Sequence, residues 1–259
     1  MGLIERLLIF LFIILILGFF AFFLPNISGR FSLLIENSEK LSLKEPGFVT
    51  RVVDGDTIHV NVNGEDEIIR FLGVNTPEKK KDYYNEAKDF LINEIENKSV
   101  ELVSDGSDKD RYGRRLRYIF YHDRLINVEI IERGLATTFM LDDLKYKNKF
   151  IIGESFAKNN EVGLWEKSRD KCAFCINLAE LEPNVDYFTL RNNCEFKCEL
   201  NNWEVKDDAN HFFKLQPIEG RESRKYDSLK IFKSEVWNDD HDRFFMRDSN
   251  GKLVIFYSY

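Results

Sequence analysis

Six polar side chains crowd a largely apolar stretch between residues 54 and 114. Asp56 lies in Asp54-Gly55-Asp56-Thr57, and Arg70 sits inside the apolar run IIRFLGV. Asn75-Thr76-Pro77-Glu78 follows that run at once, and Arg114 closes the turn Asp110-Arg111-Tyr112-Gly113. Each has an ordinary explanation taken alone: Asp-Gly pairs make turns, and an arginine in a strand commonly faces water. As a set they match the needs of phosphodiester hydrolysis. That chemistry takes a hard cation on oxygen ligands, a base for the attacking water, and cations for charge developing on phosphoryl oxygens. Asp56, Asn75 and Thr76 offer oxygens to a metal, and Glu78 is placed to orient or deprotonate water. Arg70 and Arg114 suit a phosphate, whose oxygens a guanidinium matches bidentately. Phosphate contacts are blind to base identity, so little sequence specificity is expected.

Such residues need a rigid frame. FVTRVV and TIHVNV flank the DGD turn as alternating strands, and Asn63-Gly64 signals a hairpin into IIRFLGV. YNEAKDFLINEIE places Ala87, Phe90, Leu91 and Ile95 at helical spacing. VELVS and LRYIFY read as further strands, residues 128–134 as a short helix ended by glycine, and residues 142–160 as a longer charged helix. Several strands, one helix, more strands and then helices predict a small barrel with helices packed outside it.

The stretches VVDGDTIHV, IRFLGVNTPE, EAKDFL, DRYGRRLRYI, NVEIIERGLA and EVGLWEKS follow one another in residues 48–167. In order and spacing they resemble the staphylococcal nuclease (thermonuclease) family. The resemblance implies a mainly β fold, an OB-type five-stranded barrel with packed helices, and Ca²⁺-dependent cleavage of DNA and RNA. It implies that Asp56 is a calcium ligand and that Thr76 lends its backbone carbonyl. It also implies that Arg70, Glu78 and Arg114 are the catalytic residues. Asn75 departs from the pattern, because the family carries a second calcium aspartate there. Asparagine keeps a carbonyl oxygen but loses a charge, so weaker calcium binding is expected. Nucleic-acid contacts are expected from the basic clusters, at Lys79, Lys80 and Arg115. Two aromatics, Tyr112 and Tyr146, fall where family members stack on nucleotides. The alternative is a non-catalytic nucleic-acid-binding or interaction module on an inactivated barrel.

Composition shifts near Asp170. Short aromatic-rich segments follow, among them DYFTLRN, WEVKDD, HFFKL, DRFFMRD and KLVIFYSY, with an ambiguous stretch near 221–235. They predict an all-β second domain, a sandwich. DYFTLRNN, the Leu200-x-x-Trp203-x-Val205-x-Asp207 run, His211-Phe212-Phe213 and Val236-Trp237-Asn238 resemble a lamin-tail domain, which implies an immunoglobulin-like sandwich. All four cysteines, Cys172, Cys175, Cys194 and Cys198, lie in its first part. Two close pairs at this separation suit either a structural Zn²⁺ site or two disulfides. A closed four-cysteine site is not catalytic in either case.

Residues 7–24 form an unbroken apolar run of 18 residues. At about 1.5 Å per residue that covers roughly the thickness of a hydrocarbon core. An uncleaved membrane anchor is expected over 1–24, then a polar tether over 25–47, the nuclease-like domain over 48–170 and the cysteine-bearing sandwich over 171–259. The nuclease domain is expected outside the cytoplasm, or secreted if the segment is cleaved. A net charge of −7 excludes a polybasic nucleic-acid coat, so any polyanion must meet a local patch. No Walker phosphate loop or His-Glu-x-x-His pair occurs, and the four histidines are scattered.

Overall fold

The computed structural model describes residues 44–139 and 144–259. The expected anchor lies outside the described residues, as does most of the tether. Among the described residues no helix is long and apolar enough to cross a membrane. Residues 45–47, assigned to the tether from the sequence, belong to the first strand.

That strand, β1 (Glu45–Val52), pairs with both β2 (Thr57–Val62) and β5 (Ser99–Val103). The hairpin between β2 and β3 (Glu65–Phe71) turns at Asn63 and Gly64, both at positive φ (53° and 93°). This is the primed turn that matches strand twist. β5 pairs with β6 (Arg115–Tyr121), and β6 returns parallel to β3 with Ile69 opposite Arg115. The last pairing closes five strands into a barrel, as the OB-type expectation requires. Alternation along β2 and β3 buries Ile58, Val60, Ile69 and Phe71 inside it.

Three helices seal the barrel: α1 (Tyr84–Ile95), α2 (Ile126–Glu132) and α3 (Lys147–Asn159). α1 buries Ala87, Phe90, Leu91 and Ile95, the stripe its spacing predicts. A two-residue strand, β4 (Val74–Asn75), pairs with β8 (Thr137–Thr138), setting Asn75 opposite Thr137. β7 (Arg124–Leu125) extends the edge beside β6.

The remaining strands are β9 (Ile176–Glu182), β10 (Tyr187–Asn192), β11 (Glu204–Lys206), β12 (Phe212–Lys214), β13 (Ser223–Asp227), β14 (Arg243–Arg247) and β15 (Leu253–Ser258). They form two antiparallel sheets, ordered β13-β10-β9 and β12-β11-β14-β15. Phe188 from the first sheet meets Phe213 and Phe244 from the second, with Trp237 against all three. One aromatic core therefore holds the two sheets together. The ambiguous stretch resolves into β13 and a short helix, α4 (Ser228–Phe232). The cysteines pair as Cys172–Cys198 and Cys175–Cys194. Of the two arrangements left open by the spacing the chain adopts disulfides, so no thiolate remains for zinc.

The two halves do not hang apart. Ala157 and Trp165 from the first form one buried cluster with Phe245 and Leu253 from the second. Residues 45–259 make a single unit.

Candidate active site

The loop between β1 and β2 carries Asp56. It can lie close only because Gly55 has no side chain. A Cβ there would stand 2.7 Å from Ala87 Cβ and 2.8 Å from Thr76 Cγ2. Asp56 is buried, 7% exposed. Its Oδ2 accepts from the Thr76 backbone N–H (3.0 Å) and the Thr76 hydroxyl (2.7 Å). Its Oδ1 accepts from the Thr57 hydroxyl (3.1 Å) and faces Arg70 Nε at 3.2 Å. Arg70 Nη1 donates to the Phe71 and Val74 carbonyls at 3.0 and 2.7 Å. Arg70 is thus not the solvated strand arginine of the ordinary reading; its side chain is fixed at three points. Asp54 accepts from the Asp56 N–H at 3.1 Å, and its carboxyl is pushed above the usual range by burial and by the charge on Asp56.

Arg114 is set by its own turn. Asp110 accepts from Arg114 Nε (2.7 Å), from the Arg114 N–H (3.0 Å) and from the Tyr112 N–H (2.9 Å). Burial opposes the Asp110 charge, yet these donors hold its carboxyl below the usual range. Arg70 and Arg114 line one cleft of about 550 Å³. Among the described residues that line it, Arg70, Lys109, Arg111 and Arg114 are cationic and Asp110 alone is anionic. Tyr112 stands in its mouth, 69% exposed, with Arg111 and Arg114 over its ring. The cleft is thus cationic and aromatic-edged although the protein as a whole is acidic.

Glu78 is exposed in the turn after Pro77. Its Oε1 accepts from Asn210 Nδ2 at 3.3 Å. The same Asn210 nitrogen reaches Asn75 Oδ1 at 3.5 Å, and Asn75 Nδ2 donates to the Asp208 carbonyl at 3.2 Å. The structure therefore puts Asp56, Thr76 and Arg70 in direct contact and Arg114 on Arg70's cleft. It joins Asn75 to Glu78 through a loop of the second half, and Glu78 is not among the residues that line that cleft. Asn210 and Asp208 escaped sequence reasoning, since nothing local announces a contact across more than 130 positions.

The other expected contact residues scatter. Lys79 and Lys80 are exposed beside Glu78, whereas Lys81 turns to pair with Glu204 and lies 3.6 Å from the Phe212 ring centroid. Arg115 pairs with Glu45 (2.6 Å) and Glu67 (4.0 Å) and is not among the cleft-lining residues. Tyr146 packs edge-on against Tyr118 and Phe120, at 4.7 and 5.7 Å between centroids.

Among the described residues no three His, Cys, Asp or Glu side chains gather as a metal cluster. The donors on hand are the Asp56 carboxylate, the Asn75 amide oxygen and the Thr76 carbonyl. All are hard oxygens, with Asp54 adding a half-buried carboxylate nearby. Such a set fits a hard divalent cation of modest affinity and does not suit a soft metal.

A model of the staphylococcal nuclease homologue family matches residues 68–167. Relatives agree with it. "Thermonuclease" of Staphylococcus intermedius is 35% identical over 130 residues, which cover 48% of this chain and 77% of the relative. "Uncharacterized protein MJ1439" of Methanocaldococcus jannaschii is 39% identical over 152 residues, covering 48% and 73%. "Endonuclease YncB" of Bacillus subtilis is 33% identical over 127 residues, covering 46% and 60%.

Proposed function

Because the chain belongs to the staphylococcal nuclease family, we propose that it is a metal-dependent nuclease hydrolysing phosphodiester bonds of DNA or RNA with little sequence preference. The observation that carries this reading is the cleft shared by Arg70 and Arg114, with Arg70 tied to Asp56 beside Thr76. A phosphodiester seated there meets two guanidinium groups already held by hydrogen bonds. Their charge then needs no reorganisation as negative charge grows on the phosphoryl oxygens. Arg70 keeps its register through the Phe71 and Val74 carbonyls, and Arg114 through Asp110. Glu78 is the base: it holds a water and takes its proton as the new P–O bond forms, while the ester P–O bond breaks and the leaving oxygen takes a proton from solvent. Asp56, Asn75 and Thr76 would hold a calcium ion, which supplies positive charge to the phosphoryl oxygens. Tyr112 offers a stacking face at the mouth.

The apolar run over residues 7–24 supports a membrane anchor that keeps the nuclease outside the cytoplasm. The two antiparallel sheets with a shared aromatic core support a lamin-tail-like accessory module. The deciding experiment incubates the full chain, in detergent, with plasmid DNA and with RNA, in Ca²⁺ and then in EGTA. Cleavage of either polymer that EGTA abolishes is expected. Binding without cleavage under every metal condition tried would overturn the catalytic reading in favour of the binding module.

A further inference from the structure

The loop at residues 207–211, between β11 and β12, lies on the edge of the candidate active site. It is rigid at both ends. Buried Asp207 accepts from the His211 backbone N–H at 2.7 Å and meets His211 Nδ1 at 2.6 Å. Both Asp208 carboxylate oxygens accept from Arg243 Nε at 2.7 Å. Arg243 itself crosses into the barrel half, donating to the Thr138 carbonyl, the Thr138 hydroxyl (3.1 Å) and Glu154 (2.8 Å). Asn210 sits at the tip with φ +68°, a left-handed conformation that asparagine tolerates better than most residues.

The orientation of the Asn210 amide is decided by its surroundings. Lys206 Nζ donates to Asn210 Oδ1 at 2.8 Å, and an ammonium can only donate. The oxygen must therefore face Lys206, which leaves the Nδ2 hydrogens for Glu78 Oε1 and Asn75 Oδ1. A short chain of contacts, Lys206 to Asn210 to Glu78, thus runs from the second half into the site. The partner of Asn75 also gives position 75 a reason to be an amide. Its nitrogen donates to the Asp208 carbonyl, which a carboxylate would repel.

From this geometry we propose that Asn210 is a positioning residue for Glu78, so that the catalytic centre is completed by the C-terminal half. Asn210 does not touch the scissile group. Its N–H fixes one carboxylate oxygen of an otherwise exposed glutamate, leaving the other to face water. The assignment rests on the nuclease reading and deepens it: the accessory module is part of the enzyme.

The test compares Asn210→Asp with Asn210→Ala in the full chain, measuring kcat, KM and thermal stability. Asn210→Asp keeps the shape but deletes the donor and sets a carboxylate against Glu78. If Asn210 positions Glu78, Asn210→Asp lowers kcat by about 10- to 100-fold, the usual penalty for losing an outer-shell partner. KM should stay within about two-fold, and Asn210→Ala should be the milder of the two. A residue that merely packs would show the reverse order, with the isosteric aspartate nearly wild type. In a Glu78→Gln background the Asn210 substitutions should cost nothing further. Active wild type with unchanged turnover in Asn210→Asp overturns this assignment alone, and so does a gain in activity, which would mark the contact as inhibitory. Wild type that cleaves nothing overturns the nuclease reading and this assignment with it.

Discussion

The two residues whose substitution separates the roles at the site are Glu78 and Asn75. Glu78→Gln keeps the Asn210 contact in shape but cannot take a proton. It should lower kcat by roughly 10²–10⁴-fold with substrate binding retained, as single-turnover cleavage and filter binding would show. Unchanged turnover would remove Glu78 as the base. Asn75→Asp pulls in two directions. It adds a charged ligand, so Ca²⁺ affinity should rise in a calorimetric titration. It also sets a carboxylate against the Asp208 carbonyl, at a cost of about 1–3 kcal/mol in metal-free protein. Unaltered calcium affinity would exclude Asn75 as a ligand. The same residues show what could be read from sequence and what could not. Asp56, Arg70 and Arg114 could be singled out because each lies in or directly beside a strand or turn whose pattern is local. Sequence alone could not say which neighbours Arg115, at the start of β6, and Tyr146, just before α3, would meet, since charge and ring look alike whether they face a ligand or a neighbour. Their actual partners, Glu45, Glu67, Tyr118 and Phe120, are set by barrel closure.

At the scale of elements, the barrel was predictable because its strands are long enough to alternate and the hairpin between β2 and β3 carries an Asn-Gly turn. β4 and β8 were not, being two residues each, too short for any period to show. Yet that pair sets Asn75 opposite Thr137, and the neighbouring Thr138 receives Arg243 from β14. Arg243 bridges Glu154 of α3 and Asp208, so it ties helix, strand pair and loop together. Burial opposes the Glu154 charge, but Arg243 and Lys158 outweigh it and hold the carboxyl below the usual glutamate range. A carboxyl lowered on folding contributes stability that is present above its unfolded range and lost as pH falls through the folded one. Arg243→Met should cost about 3–5 kcal/mol at pH 7, the penalty for breaking a buried pair from one side. The deficit should shrink in acid, as Glu154 becomes neutral in both proteins. Urea denaturation at pH 7 and below pH 4 would show this, and an equal deficit at both pH values would mean that the loss is packing and not charge.

Over the whole molecule, the joint between the halves is dry in one region and polar in another. Trp165, Phe245 and Leu253 exclude water on one side. Lys81, Lys252 and Ser168 pair across the joint with Glu204, Glu166 and Asp248 on the other. Gly251 precedes Lys252, and its place is fixed by contact: a Cβ there would stand 2.5 Å from Asp82 Cβ. The C-terminal core is closed by disulfides spanning 26 and 19 positions, each contributing about 2–4 kcal/mol by restricting the unfolded chain. No cysteine lies in the barrel, so a reductant has nothing to act on there. Reduction should therefore lower the denaturation midpoint of the C-terminal half first, followed by the near-ultraviolet dichroism of its tryptophans. If the loop at 207–211 completes the active site, cleavage should fall in step with that signal while the barrel stays folded. Cleavage that survives loss of the aromatic signal would show instead that the barrel works alone and that the second half is only a passenger.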